Sequence, residues 1–137
     1  MRLEVTRRAD LAVQALVLLG RSRARRKAGE LAEALDTTSG FVPQVLAPLV
    51  ERGWVRSEPG PRGGYISTVA LGSVTVLDVV EAVDGPTDVG RCVVEGRPCA
   101  ATSPCALHDA WSRARAALLD ELAATSLDRV PVREPVP

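Results

Sequence analysis

Residues 36–67 read DTTSGFVPQVLAPLVERGWVRSEPGPRGGYIS, and their order decides the fold. Asp36-Thr37-Thr38-Ser39-Gly40 is a turn that also offers a helix cap, because the Thr38 or Ser39 hydroxyl can accept a bond from the first amides of a following helix. Phe41, Val42, Val45, Leu46, Leu49 and Val50 then recur at i, i+1, i+4, i+5, i+8 and i+9, one continuous apolar stripe. The opposite face carries Gly40, Pro43, Gln44, Ala47, Pro48 and Glu51, small or polar groups over which a large partner can approach closely. Trp54–Ser57 and Tyr65–Ser67 read as two strands around a Glu58–Gly64 turn.

Upstream, Ala28–Leu35 reads as a short helix with Leu31, Ala32 and Leu35 on one side. Two short helices, a tight turn and a hairpin make a winged helix-turn-helix, whose second helix enters the DNA major groove. The expected DNA contacts are Gln44 to a base edge, Thr38, Ser39 and Gly40 near phosphates, and the wing tip Arg62-Gly63 at a phosphate or a narrow minor groove. Any exposed helix has residues of these types, so the hairpin that follows carries more weight than the helix alone.

At the N-terminal end, Arg8 to about Arg21 is apolar on nearly every face, as in a helix buried on most sides, and Gly20 marks its expected end. Arg21, Arg23, Arg25, Arg26 and Lys27 follow, as a solvated loop or as phosphate contacts. Residues 1–65 hold 11 Lys plus Arg against 7 Asp plus Glu, and residues 66–137 hold 6 against 10, so a polyanion is expected on the N-terminal half although the net charge is zero. The apolar run Leu11–Leu19 is too short to span a bilayer and lacks a small-residue cleavage site, which points to a cytoplasmic protein without a membrane partner. Aromatic residues are 3% of the chain, so its core must be built from Leu, Val and Ala, and a partner chain would add buried area.

Thr75–Asp84 reads as a helix with Thr75 as N-cap, Asp78 three residues on, and Gly85-Pro86 as a stop. A last helix is expected from Pro104 to about Ala124, opened by Ser103-Pro104 and roughly 30 Å long. Its stripe of Leu107, Trp111, Ala114, Leu118 and Leu122 suits pairing with a second copy of the chain. The expected organisation is a DNA-binding domain over 1–86, a ligand loop over 87–105, a dimerisation helix and C-terminal segment over 104–130, and a frayed tail over 131–137. The fold class is mainly α with a small β-hairpin wing.

All three cysteines, Cys92, Cys99 and Cys105, and the only histidine, His108, fall within the 17 residues 92–108. Six residues separate Cys92 from Cys99, five separate Cys99 from Cys105, and two separate Cys105 from His108. Such clustering reads as a metal-ligand set, with Cys105 and His108 on one helix face. A tetrahedral structural zinc is an alternative, although zinc sites more often pair cysteines two to four apart. A metal-free thiol-redox switch is another. Three cysteines do not suit a closed disulfide framework. Catalysis is not expected: His108 has no orienting acid except Asp109, which points aside, and Gly63-Gly64 lies in a hairpin rather than between a strand and a helix. No small-molecule substrate is therefore expected.

Taken together, MRLEVTRRADLAVQAL at residues 1–16, the Ser39–Val55 segment, the Gly-Pro-Arg-Gly-Gly-Tyr wing, the run from Val76 to Gly85 and the three-cysteine loop resemble the Rrf-two family of winged-helix transcription regulators, over about residues 1–130. The resemblance implies a homodimer that binds double-stranded DNA at an inverted repeat, with affinity governed by an iron–sulfur cluster. In the branch similar to iron–sulfur-assembly regulators, three cysteines and a histidine hold a 2Fe–2S cluster, which matches Cys92, Cys99, Cys105 and His108 except that the first gap is one residue longer. In the nitric-oxide-sensing branch an acid near the partner's N-terminus completes a 4Fe–4S site, and Asp10 stands about there. Both fourth ligands stay open, with 2Fe–2S and His108 favoured. A departure is Pro48, where the family often has a basic residue; an interior proline is expected to bend or shorten the helix.

Overall fold

The computed structural model describes residues 3–87, 92–94 and 105–132. Helix α1 spans Arg7–Ser22, α2 Ala28–Leu35 and α3 Val42–Glu51; strands β1, Val55–Glu58, and β2, Gly64–Ser67, form the hairpin; α4 spans Val76–Asp84 and α5 His108–Ala124. Single 3-10 turns occupy Leu71–Ser73 and Leu127–Arg129.

Helix α1 is the centre of the molecule. Leu11, Leu16, Val17 and Leu19 are fully buried, and α2, α3, α4 and the hairpin pack around them. Thr6 caps the helix by accepting the Ala9 amide at 3.1 Å. The helix does not stop at Gly20 but runs on to Ser22, with Arg23 in the left-handed region as its cap. Gly20 instead marks a close approach, since a Cβ there would lie 2.5 Å from Leu71 Cδ2.

Helix α2 has the expected limits, with Leu31, Ala32 and Leu35 inward. Helix α3 differs at its start. Neither Thr38 nor Ser39 caps it; residues 38–41 form a turn closed by the Phe41 amide on the Thr38 carbonyl at 3.1 Å, and the helix begins at Val42. Val42, Val45, Leu46 and Leu49 are fully buried, while Val50 is 37% exposed. Pro48 faces inward rather than outward, and α3 is not shortened by it.

In the hairpin Val55 stands opposite Ser67 and Glu58 opposite Gly64. Helix α4 opens with a reciprocal capping box, Thr75 Oγ1 accepting the Asp78 amide at 3.1 Å and Asp78 Oδ2 accepting the Thr75 amide at 2.9 Å. Gly85, at φ 85°, ends it.

Helix α5 begins at His108, later than expected, and no residue in it is buried. The expected opening at Ser103-Pro104 lies outside the described residues. Beyond it the chain returns to the body: the Val76 amide donates to Thr125 O and the Leu127 amide to Val74 O, each at 2.9 Å, and Leu127 is fully buried in the main core. Val132 also packs on that core, so the expected fraying does not begin at Pro131; residues 133–137 lie outside the described residues.

Candidate nucleic-acid interface and cysteine loop

Between α2 and α3, Asp36 takes φ 53° and turns the chain sharply, and residues 38–41 close a second turn. These bends leave Thr38, Ser39 and Gly40 exposed at the entry to α3, and on the helix itself Pro43, Gln44, Ala47 and Glu51 are exposed. A helix with a dry inner face and this low-relief outer face can lie in a groove as wide as the DNA major groove. The expected contact residues of the turn and helix are therefore each solvent-accessible.

The wing stands beside them, and basic residues fix it. Arg25 Nη1 donates to the Arg62 carbonyl at 3.1 Å, and Arg25 also pairs with Glu58, as does Arg56 at 3.2 Å. Arg26 and Tyr65 bridge through their backbones. Arg62 itself is exposed at the tip, and its neighbour Gly63 is buried. A Cβ on Gly63 would meet Glu58 O at 2.0 Å, so this glycine serves to close the turn. Part of the basic run 21–27 is thus structural: Arg21 donates to the Val130 carbonyl at 2.7 Å, and Arg25 and Arg26 hold the wing. Sequence reading gave no signal for these pairings, which join residues 33 or more positions apart.

The cysteine loop is placed in part. Cys92 is buried and its sulfur accepts the Val94 amide at 3.4 Å. Cys105 is half-buried and precedes α5; its carbonyl accepts the His108 amide at 3.1 Å. Cys105 stands just outside α5, one turn at 106–107 ahead of its first residue, to which that bond joins it. His108 is exposed. Cys99 lies outside the described residues. Asp10 is half-buried in the first turn of α1, where it accepts Gln14 Nε2 at 2.9 Å and lines an open cavity of about 510 Å³ with Arg7, Val13, Val76 and Val80. Among the described residues no three His, Cys, Asp or Glu side chains gather as a metal site.

The sequence model of the Rrf2 family, described as "Iron-dependent Transcriptional regulator", matches residues 5–131. The chain belongs to the Rrf2 family. An HTH-type transcriptional regulator of Aquifex aeolicus (strain VF5) is 28% identical over 119 residues, 85% of this chain and 83% of that relative. IscR of Enterobacter sp. (strain 638) is 32% identical over 82 residues, 60% of this chain and half of that protein's length. Among solved structures, CymR (YrzC), the global cysteine regulator of B. subtilis, superposes with a TM-score of 0.74 at 19% identity, covering 93% of this chain and 95% of that one. T. potens IscR gives 0.72 at 20% identity, covering 92% and 84%. The Rrf2 fold is a winged helix with a β-hairpin wing, and its members are DNA-binding transcriptional regulators. Among the described residues of this Rrf2 chain, no helix is long and apolar enough to cross a membrane.

Proposed function

We propose that the chain is a homodimeric regulator that reads an inverted-repeat operator in double-stranded DNA and whose affinity is set by an iron–sulfur cluster. The DNA-binding half is carried by one observation: Thr38, Ser39, Gly40 and Gln44 are exposed on one turn and helix, beside a wing that presents Arg62. Gln44 meets a base edge, Thr38 and Ser39 meet phosphates around Gly40, and Arg62 with the Gly63 turn meets the backbone or minor groove. Residues 1–86 form the DNA-binding unit and residues 104–130 the dimerisation segment. The exposed stripe of α5 supports dimerisation: Leu107 and Leu118 are 48% and 43% exposed, and Trp111, Ala114 and Leu118 line an open groove of about 260 Å³.

For the ligand set, the donor chemistry fits an iron–sulfur group. Cys92 and Cys105 offer sulfur, Cys92 in a buried setting with an amide on its sulfur, which is how proteins tune such centres. Cys92, Cys99 and Cys105 would hold the cluster, with His108 as fourth ligand or, alternatively, Asp10 of the partner subunit. A 2Fe–2S cluster is favoured over 4Fe–4S. Held by these residues, such a group would supply redox-sensitive chemistry next to the start of α5. The IscR relatives and the iron-dependent description of the family support this reading, while the CymR fold neighbours keep a metal-free thiol switch as the rival, alongside a structural zinc.

Anaerobic purification with iron and sulfide counts, followed by DNA binding of loaded and cluster-free protein, tests it. Brown protein with matched iron and sulfide, and a changed affinity on loss, is expected. Colourless zinc-containing protein, or equal affinity in both states, overturns the sensing half.

A further inference from the structure

Pro48 lies inside α3, where its ring nitrogen has no proton to give the Gln44 carbonyl four residues earlier. That carbonyl has a donor nonetheless. Arg8 Nε of α1 donates to Gln44 O at 3.1 Å, and α3 runs unbroken from Val42 to Glu51. The same turn of α1 holds two other elements. Arg7 Nη2 donates to Asp36 O at 3.1 Å, at the left-handed end of α2, and the Thr6 hydroxyl donates to the Asp84 carboxylate at 2.9 and 3.0 Å, at the end of α4. Three consecutive residues therefore tie α2, α3 and α4 to the start of the central helix.

We infer that Arg8 is a positioning residue for the recognition helix: it supplies from α1 the hydrogen bond that Pro48 removes from α3, and so fixes the direction in which Gln44 meets DNA. This rests on the reading of Gln44 as a base contact. A guanidinium suits the task, since its charge strengthens the bond to a carbonyl and its planar fork is directional. A proline in mid-helix costs least where another group satisfies the carbonyl it orphans.

The native chain, R8A, P48A and the double variant decide it, with Q44A as control. The probes are the duplexes that the native chain selects from a randomised pool and a scrambled duplex of equal length. R8A is expected to lower discrimination between them by about tenfold while binding to the scrambled duplex holds. In the P48A background residue 48 regains its own N–H, so adding R8A should change discrimination by less than about twofold. Equal loss in both backgrounds overturns the inference. So does uniform loss on both duplexes with a shallower salt dependence, which would make Arg8 a phosphate contact.

Failure of the Gln44 reading shows separately. Either the native chain selects no duplex or Q44A discriminates as well as native. Thermal unfolding of the same chains then still decides Arg8: a midpoint lowered by a few degrees by R8A only when Pro48 is present supports the supplied bond, and additive losses overturn it.

Discussion

Arg26 and Tyr65 exchange both backbone hydrogen bonds, Arg26 N–H to Tyr65 O at 2.9 Å and Tyr65 N–H to Arg26 O at 2.8 Å. The basic segment after α1 thereby adds one rung to the edge of the wing. Gly64 permits the approach, at φ 139° and with a would-be Cβ 2.5 Å from Arg26 O. Gly64→Ala should cost about 1–3 kcal/mol, since both the steric contact and the backbone conformation oppose a side chain. Urea unfolding followed by circular dichroism measures it; a change within experimental error would refute the rung.

At the tip, adjacent residues should separate stability from binding. Gly63→Ala places a methyl against Glu58 O and should destabilise the fold by about 1–3 kcal/mol. Arg62→Ala, at an exposed side chain, should leave unfolding within about 0.5 kcal/mol of native and weaken DNA binding uniformly across sequences, with the salt slope falling by about one. Titrations on selected and scrambled duplexes at several salt concentrations would read both.

Helix α5 supplies the test of dimerisation. Leu118→Glu puts a charge into the exposed stripe and should convert the proposed dimer to monomer at micromolar concentration with little change in the monomer's own core. Sedimentation velocity reports the outcome; an unchanged mass would move the interface elsewhere.

For the ligands, Cys99→Ala should abolish iron and acid-labile sulfide in anaerobically purified protein. His108→Ala and Asp10→Ala should differ: under the favoured reading only the former shifts the visible absorption of the bound cluster. A shift with Asp10→Ala alone assigns the fourth position to Asp10 of the partner subunit.

Local chemistry made much of this fold legible. The apolar spacing of Leu31, Ala32 and Leu35 marked α2 to the residue, and Thr75 with Asp78 marked the start of α4, because each signal lies within one helical turn. The errors arose where distant residues intervene. Gly20 looked like a stop, yet it is a seat for Leu71, and Pro48 was expected to bend or shorten α3, which keeps its length from Val42 to Glu51 while Arg8, 36 positions away, donates to the carbonyl of Gln44. Exposure of Gly40 and Gln44 followed from the amphipathic pattern, whereas the roles of Arg25 and Arg26 in fixing the wing depend on contacts that no periodicity encodes. Cys105 falls outside α5, which starts only at His108, because a turn at 106–107 precedes the helix.

The return of the chain after α5 has a mechanical consequence. Thr125 and Leu127 are stitched to Val76 and Val74, so the helix is pinned at its C-terminal end beside the root of α4. Its 17 residues make a rod of about 25 Å. With that end fixed, a tilt of about 10° would carry His108 through about 4 Å while Leu127 stayed in place. A displacement at Cys105, just ahead of His108, would thereby be expressed as a change in the angle of α5.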